Sequence, residues 1–158
     1  METHPLRMID VGGKPISLRV ARASGRLLAH ADTVRRIREG NLDKGDAVAA
    51  ARLAGIMAAK KTAEIVPLCH PLPLDSVAVS IDFDEPEGVT ITATVRSVGR
   101  TGVEMEALVA VSAAALTLYD MTKSIDPGMT IDRIRLEEKT GGTRGDWRRG
   151  EGRITPQV

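Results

Sequence analysis

The sequence predicts an α+β fold in which helices cover one face of a largely antiparallel sheet. Four segments alternate apolar with small or polar residues, a period of two that is typical of strands: Ser17–Leu28, 77–83, 89–95 and Met129–Glu138. Two apolar segments, Lys44–Val66 and Thr101–Asp126, are rich in good helix formers and predict substantial helices. The predicted strands and helices follow one another in the order β-α-α-β-β-α-β, which includes one further short helix. This order favours a layered α+β arrangement over a parallel sheet.

Length, charge and cysteine content limit the class of protein. A chain of 158 residues suits one domain spanning residues 1–158. The net charge of +1 gives no general attraction to nucleic acid or to anionic membranes, so neither is a predicted partner. One cysteine excludes an internal disulfide and fits a reducing compartment. No run is typical of a signal peptide or a membrane span, and we therefore expect a cytoplasmic protein.

The chain begins with a predicted flexible arm, residues 1–15, which contains Gly12-Gly13. The first strand, Ser17–Leu28, follows it. Ser24-Gly25 interrupts the alternation of this strand, which predicts a bend or a bulge there.

Two helices come next. Asp32 is a candidate cap for a short helix over Thr33–Glu39. Asp43 is a candidate cap for the longer helix Lys44–Val66, which stops before Pro67 because the residue preceding a proline disfavours helical geometry.

The remaining strands form a hairpin and a last strand. Two alternating runs, 77–83 and 89–95, flank a turn that contains Pro and Gly, which is typical of a hairpin. In the last strand the apolar phase slips between Ile131 and Ile134, so we expect a bulge. The tail, 139–158, is glycine-rich and basic, and is predicted to be flexible.

The long helix at Thr101–Asp126 carries charges that an apolar helix does not need for folding. A helix that is apolar on most faces is buried, and buried ionisable groups must be paired or used. Asp120 and Lys123 are three residues apart and therefore neighbours on one helix face. An acid and an amine held together away from water form a natural proton-transfer pair, which makes these two the candidate catalytic residues.

The carboxylates at the start of this helix have different explanations. Thr101 and Glu104 have the spacing of a capping box, which predicts a structural role for Glu104. Glu106 has no such role. It lies within about 40° of Asp120 around the helix, but fourteen residues of rise separate the two by roughly 21 Å. Either the ligand is extended, like a nucleoside triphosphate, or a second chain completes the site; we favour a site at a subunit interface.

Cys69 and His70 lie in a segment that three prolines stiffen. His70 is either a satisfied core histidine or an imidazole facing a ligand, and the residues alone leave these alternatives even. A metal site built on the two is not expected, because neighbours in extended chain point to opposite faces. Cys69 is better explained as a small buried apolar residue than as a nucleophile, because the adjacent His70 is badly placed to be its base.

Basic residues suggest where an anion could bind. Lys44 lies in the first turn of its predicted helix, where a cation opposes the helix dipole, so an anion such as phosphate would fit there. The tail from Lys139 onward could close on phosphates with glycine turns and cationic side chains, although most such tails are disordered. The sequence has no Walker-type or Rossmann-type glycine motif.

Six short sequence motifs, which follow one another along the chain, contain most of the residues discussed above: Met8–Val11, Lys44–Asp46, Ala54–Lys60, Pro67–Leu72, Gly102–Leu108 and Leu118–Lys123. Through them the chain resembles the molybdenum cofactor biosynthesis protein C family of cyclic pyranopterin monophosphate synthases, over nearly its whole length. The resemblance implies a ferredoxin-like subunit with a four-stranded sheet. It also implies a homohexamer, a trimer of dimers, with sites at subunit interfaces.

The resemblance implies an activity and a set of roles. The family converts 3′,8-cyclo-7,8-dihydroguanosine triphosphate into cyclic pyranopterin monophosphate and releases pyrophosphate, as a phosphorus–oxygen lyase. Asp120 and Lys123 would be the acid/base pair. The other site residues would bind the substrate, Lys44 and Lys139 at its polar or phosphate groups: Lys44, Leu68, Cys69, His70, Met105, Glu106 and Lys139. No cofactor is required, and Mg²⁺ with the triphosphate is left open. The alternatives are a non-catalytic nucleotide-binding module and a metal-dependent hydrolase built on Cys69 and His70.

Overall fold

An antiparallel sheet forms the framework of the chain, which the computed structural model describes over residues 3–84 and 86–154. Over these residues it has six strands in the order β2-β3-β1-β4-β5-β6. The strands are β1 Ser17–Leu28, β2 Ser76–Asp84, β3 Gly88–Gly99, β4 Thr130–Thr140, β5 Asp146–Arg148 and β6 Gly152–Ile154. The helices are α1 Ala31–Glu39, α2 Ala47–Ala59, α3 Thr62–Ile65 and α4 Glu104–Thr122.

The first four strands confirm the predicted fold class. Helices α1 to α3 connect β1 to β2, and α4 connects β3 to β4, while β2 and β3 form the predicted hairpin. Each helical connection therefore skips one intervening strand, which is the split βαβ arrangement of ferredoxin-like folds. The strand count differs from the four predicted, because β5 and β6 extend the sheet where the sequence predicted a flexible tail.

The core lies between the sheet and the helices on one of its faces. Alternate residues of β1 and β3, among them Ala23, Leu27 and Ile91, are fully buried there. Alanine on both the strands and the facing helices allows close approach, so α4 packs against β1 and β3 and also against α2. This packing places both ends of α4 at the edges of the core.

Helix α4 differs from its prediction in one respect. It is the one helix in the described part of the chain that is long and apolar enough to span a membrane by length and composition, whereas the sequence predicted no such run. One such helix is weak evidence, because core helices pass the same test, and α4 buries a face against the sheet. Its outer face, however, leaves Leu116 exposed, so it is not buried all round as predicted.

The helix starts differ from the predicted caps. Helix α1 begins after His30 without a side-chain cap, and Asp32 binds Arg35 instead. The buried Asp126, far along the chain, accepts hydrogen bonds from the His30 backbone N–H at 2.8 Å and from the Thr33 hydroxyl at 3.0 Å. The start of α1 is thus held by the turn that follows α4.

Helix α2 is shorter than predicted. Its cap is Asp46 rather than Asp43, and the Asp46 carboxylate accepts from the Ala49 N–H at 3.0 Å. It ends at Ala59, where the Thr62 hydroxyl donates to the Ala59 carbonyl at 2.9 Å and the chain turns into α3. Lys44 therefore precedes the helix, and its predicted place in the first turn is wrong.

The predicted irregularities of β1 and β4 are confirmed. The β1–β4 register shifts between Ser24 and Arg26, and Arg133 has a positive φ of 53°. Gly25 lies at this irregularity, directly under α4: an added Cβ would come within 2.7 Å of Val111 Cγ1.

We therefore expect Gly25→Ala to destabilise the fold by about 1–3 kcal/mol, the usual cost of overpacking. The measurement is the free energy of unfolding in urea. Gly128→Ala is the control, because an added Cβ there meets nothing within 4 Å. Combining Gly25→Ala with Val111→Ala should cost less than the sum of the two single losses, and additive losses would contradict the contact.

Candidate active site

A cleft of about 380 Å³ opens at the end of the sheet where α4 begins. The N-terminal arm, β1, the proline-rich segment and the loop after β4 all contribute to its walls. It brings together three of the predicted site residues, Leu68, His70 and Lys139. The structure thus places His70 at a cleft, in the position of the ligand-facing alternative.

Glu104 lines this cleft, and its predicted capping role is wrong. Helix α4 begins after Val103 without a side-chain cap. The Glu104 carboxylate instead forms an ion pair with Lys139 Nζ at 3.1 Å. This contact links the start of α4 to the end of β4, a pairing that only the folded chain creates.

Cys69 and Glu106 meet beside the cleft. Glu106 is only 2% exposed. Its Oε1 receives a long contact from the Cys69 Sγ at 3.9 Å, and its Oε2 has no hydrogen-bond partner among the residues that the structure describes. Burial raises the pKa of Glu106 above its usual range. Burial and the nearby Glu106 carboxylate raise the pKa of the Cys69 thiol, which argues against a nucleophilic thiolate.

A smaller cavity of about 120 Å³ adjoins Glu106. Lys60 and Lys61, at the break between α2 and α3, line it together with Pro71. Met105, the neighbour of Glu106, is partly exposed in the first turn of α4. The predicted substrate-binding residues around positions 68–70, 105 and 106 therefore gather at one end of α4.

Glu106→Gln is expected to flatten the dependence of stability on pH. Because the pKa of Glu106 is higher in the folded than in the unfolded protein, the stabilisation from its proton is complete below the ordinary value of 4.5. This stabilisation is lost as the pH rises through the pKa of Glu106 in the folded protein. The amide of Glu106→Gln does not titrate, so the variant does not lose stability in this way. When thermal unfolding is measured from pH 4 to pH 8, the midpoint temperature of the wild type should fall relative to that of the variant. The control is Glu104→Gln, because Glu104 lies near Glu106 in the chain but forms an ion pair with Lys139. Parallel plots of midpoint temperature against pH for wild type and Glu106→Gln would contradict the prediction.

The candidate catalytic pair lies at the opposite end of α4. Asp120 Oδ1 binds Lys123 Nζ at 2.8 Å, and Asp120 Oδ2 binds Lys44 Nζ at 2.9 Å. The Asp120 and Lys123 side chains are 53% and 56% exposed, so the predicted exclusion from water is wrong for the single subunit. Hydrogen bonds from the two ammonium groups lower the pKa of Asp120 to about 2. The same contact raises the pKa of Lys123.

The cluster of Lys44, Asp120 and Lys123 joins two distant segments. Lys44 was predicted as a separate phosphate contact, and nothing in its local sequence places it on Asp120. The loop before α2 carries it there because α2 packs along α4. A carboxylate between two ammonium groups holds both in fixed positions, ready to bind an anionic ligand or to transfer protons.

The two groups of candidate residues do not meet within one chain. Glu106 and Asp120 are fourteen residues apart on one helix, or roughly 21 Å. Neither Asp120 nor Lys123 borders the cleft that contains His70 and Lys139. One subunit therefore carries the two groups of candidate residues at opposite ends of α4.

No group of three or more His, Cys, Asp or Glu residues is arranged to hold a metal ion within residues 3–84 and 86–154. The absence of zinc stays a prediction that elemental analysis can check.

Arg19 is a cleft residue that sequence reasoning missed. It lines the cleft together with Lys14 and Arg144. Its signal was present in the sequence: position 19 continues the inward alternation of Ala21 and Ala23, so a charged residue there points toward the interior.

Comparison with known proteins places these residues in a family context. Residues 8–142 match the sequence profile of the MoaC family. Cyclic pyranopterin monophosphate synthase 1 of Mycobacterium tuberculosis is 57% identical over 143 residues, 90% of this chain and 84% of that protein. The cyclic pyranopterin monophosphate synthase of Thermomicrobium roseum is 58% identical over 144 residues, 90% of this chain and 87% of its own. That of Brevibacillus brevis is 51% identical over 150 residues, 95% of this chain and 94% of its own.

Proposed function

The chain belongs to the MoaC family, and from that premise we propose that it is a cyclic pyranopterin monophosphate synthase of molybdenum cofactor biosynthesis. It converts 3′,8-cyclo-7,8-dihydroguanosine triphosphate into cyclic pyranopterin monophosphate and releases pyrophosphate, as a phosphorus–oxygen lyase. The observation that carries the proposal is the layout of α4, which has a cationic cleft at one end and an acid/amine cluster at the other.

The cationic cleft suits the phosphate part of the reaction. Closing a cyclic phosphate expels pyrophosphate, and fixed cations stabilise the departing charge. We assign this task to Lys139, which stands at the cleft between β4 and α4. Leu68, Cys69, His70, Met105 and Glu106 would bind the guanine-derived part beside it.

The acid/amine cluster suits the ring chemistry. Remaking a guanine-derived ring moves protons among nitrogens and hydroxyls, which requires a positioned acid and base. In the subunit without substrate, Asp120 is an anion and Lys123 is an ammonium, because each stabilises the charge of the other. Covering the pair with substrate would remove water and favour the neutral forms, so that a proton can pass between ligand and pair. Lys44 would keep the Asp120 carboxylate in place.

A homohexamer, arranged as a trimer of dimers with sites at subunit interfaces, is part of this proposal. The outer faces of α2 and α4 expose large apolar side chains, including Leu53, Met57 and Leu116, that a second subunit could cover. The same contact would bring the Asp120 end of one α4 to the Glu106 end of another. We propose a cytoplasmic location, without membrane or nucleic-acid partners.

The test is product detection. Purified protein is given the cyclised guanosine triphosphate, and the products are followed by mass spectrometry and by a pyrophosphate assay. Formation of cyclic pyranopterin monophosphate with one pyrophosphate supports the proposal. Tight binding without turnover would replace it with a nucleotide-binding module, and activity that chelation removes, with stoichiometric zinc, would replace it with a hydrolase. Parallel reactions with EDTA and with Mg²⁺ decide whether Mg²⁺ accompanies the triphosphate.

A further inference from the structure

Asp126 is a buried carboxylate in the turn after α4, six residues beyond Asp120. The residue is only 3% exposed. Its Oδ2 accepts hydrogen bonds from the His30 backbone N–H at 2.8 Å and from the Thr33 hydroxyl at 3.0 Å, both at the start of α1. Burying a carboxylate is costly, although the positive end of a helix dipole compensates part of the cost. The contact between the end of α4 and the start of α1 is therefore a candidate for a specific task.

The segment from His30 to Lys44 touches the end of α4 twice. At its start it is held by Asp126. At its other end, Lys44 Nζ donates to the Asp120 carboxylate at 2.9 Å and to the Asp120 carbonyl at 3.3 Å. Helix α1 and a short loop, entered through Gly40 with a φ of 69°, connect the two contacts. The segment and the end of α4 thus form a closed arrangement, with Asp126 at one junction and the acid/amine cluster at the other.

The loop that carries Lys44 is fixed from both sides. On one side it continues into α2, which packs along α4. On the other side it follows α1, where the Asn41 N–H donates to the Arg36 carbonyl at 3.0 Å. The Gly45 N–H donates to the Leu42 carbonyl, also at 3.0 Å, and closes the turn that contains Lys44. A displacement of α1 would therefore displace the Lys44 ammonium as well.

We propose that Asp126 is a positioning residue of the acid/amine cluster, because it holds α1 and thereby keeps the loop with Lys44 against Asp120. The inference rests on the proposed function, since it gives Asp126 a task in that site. Asp126 acts through Lys44 and is not itself one of the groups that transfer protons. Without this anchor the loop would be held by α2 alone, and the Asp120 carboxylate would keep only Lys123.

The first test follows the ionisation of Asp120 by carboxyl ¹³C NMR, which needs no turnover. The ammonium groups of Lys123 and Lys44 face the Asp120 carboxylate and lower its pKa to about 2. In Asp126→Ala the Lys44 ammonium should move away, so the pKa of Asp120 should rise toward its ordinary value of 3.8. Lys44→Met should produce a similar rise, and adding Asp126→Ala to Lys44→Met should raise the pKa no further. An unchanged pKa of Asp120 in a folded Asp126→Ala variant would overturn the inference.

The direction of the shift separates this role from a direct effect of charge. Removing the negative charge of Asp126 would by itself lower the pKa of Asp120, so a rise indicates that a cation has moved away. Asp126→Asn keeps an oxygen that can accept from His30 and Thr33, and it should leave the pKa of Asp120 close to that of wild type. A rise as large as that in Asp126→Ala would contradict the role of these hydrogen bonds.

Ile81→Ala is the control for a general loss of stability. Ile81 is a core residue of β2, outside α1 and the end of α4, so its truncation destabilises the fold without releasing Lys44. The pKa of Asp120 should stay at its wild-type value in this variant. An equal rise in Ile81→Ala and Asp126→Ala would reduce Asp126 to a structural residue and overturn the inference.

Thr33→Val covers the case in which Asp126→Ala does not fold. It removes one of the two hydrogen bonds to Asp126 and keeps a β-branched side chain of similar size. The pKa of Asp120 should rise by less than in Lys44→Met but in the same direction, and an unchanged pKa would overturn the inference.

The product assay separates this inference from the proposed function. Asp126→Ala should lower kcat about tenfold to a hundredfold through misplacement of Lys44, and should lower it no further when Lys44→Met is already present. Product formation together with an Asp120 pKa that ignores Asp126 overturns only this inference. A raised Asp120 pKa in Asp126→Ala, with no product from wild type, overturns only the proposed function.

Discussion

Asp120→Asn is expected to lower product formation by about 10²–10⁴-fold, the usual range for loss of a general acid or base. The pKa of Asp120 is about 2, so the substitution removes a full negative charge at any working pH. Lys44 and Lys123 then lose the carboxylate that each contacts within 3 Å and repel one another. We therefore expect the substitution to impair both the proton transfer by Asp120 and the positioning of the Lys44 and Lys123 ammonium groups.

The fold should tolerate this change, because Asp120 is half-exposed and surface ion pairs contribute little to stability. Asp32→Asn is the matched control. Asp32 also pairs with a cation three residues later on a helix, Arg35, outside the cluster of Lys44, Asp120 and Lys123. The measurements are kcat with the cyclised guanosine triphosphate and the thermal midpoint of both variants. Full activity in Asp120→Asn, or an equal loss in Asp32→Asn, would contradict the catalytic assignment.

Mixed oligomers of two inactive variants are expected to regain activity if they carry changes at opposite ends of α4. In the proposed shared site, Asp120→Asn and Glu106→Gln would each damage one half, because the two positions lie roughly 21 Å apart on one helix. In a two-fold dimer with shared sites, a mixed pair has one intact and one doubly altered site. Random pairing would then restore about a quarter of all sites. The measurement is product formation by co-expressed, differently tagged chains, compared with each variant alone.

The control for this experiment combines two changes at the same end of the helix. Asp120→Asn with Lys123→Met leaves every site altered, because both residues belong to one cluster. That mixture should stay inactive. Lys139→Met can replace Glu106→Gln, since Lys139 lines the cleft at the other end. No recovery in either opposite-end mixture would show that each site belongs to one chain.

Local patterns were reliable for the strands. Alternation predicted β1 over its full length and the β2–β3 hairpin, and the phase slip in the last strand predicted the bulge at Arg133. These predictions succeed because the side-chain period of a strand is set by neighbouring residues. Helix caps were less reliable. Asp32 and Asp43 were plausible acceptors, but Asp126 and Asp46 hold those positions.

The charged groups were hardest to predict. An apolar helix seemed to require that Asp120 and Lys123 be buried, yet both are half-exposed because only one face of α4 meets the sheet. Burial of a side chain depends on which face the neighbouring elements cover, and composition does not encode that. The approach of Lys44 to Asp120 and of Lys139 to Glu104 likewise depends on packing between segments distant in sequence.

By itself the sequence determined the first four strands, the positions of the main helices and the family, because these follow from short-range periodicity and from short sequence motifs that need no folding to recognise. Only the tertiary structure decided which charges meet, that the Glu106 carboxylate is buried, and that Arg19 is buried beneath a glycine loop. The physical reason is that solvation and charge pairing depend on distances through space, and these distances exist only once α4 and the loop after β4 have packed against β1.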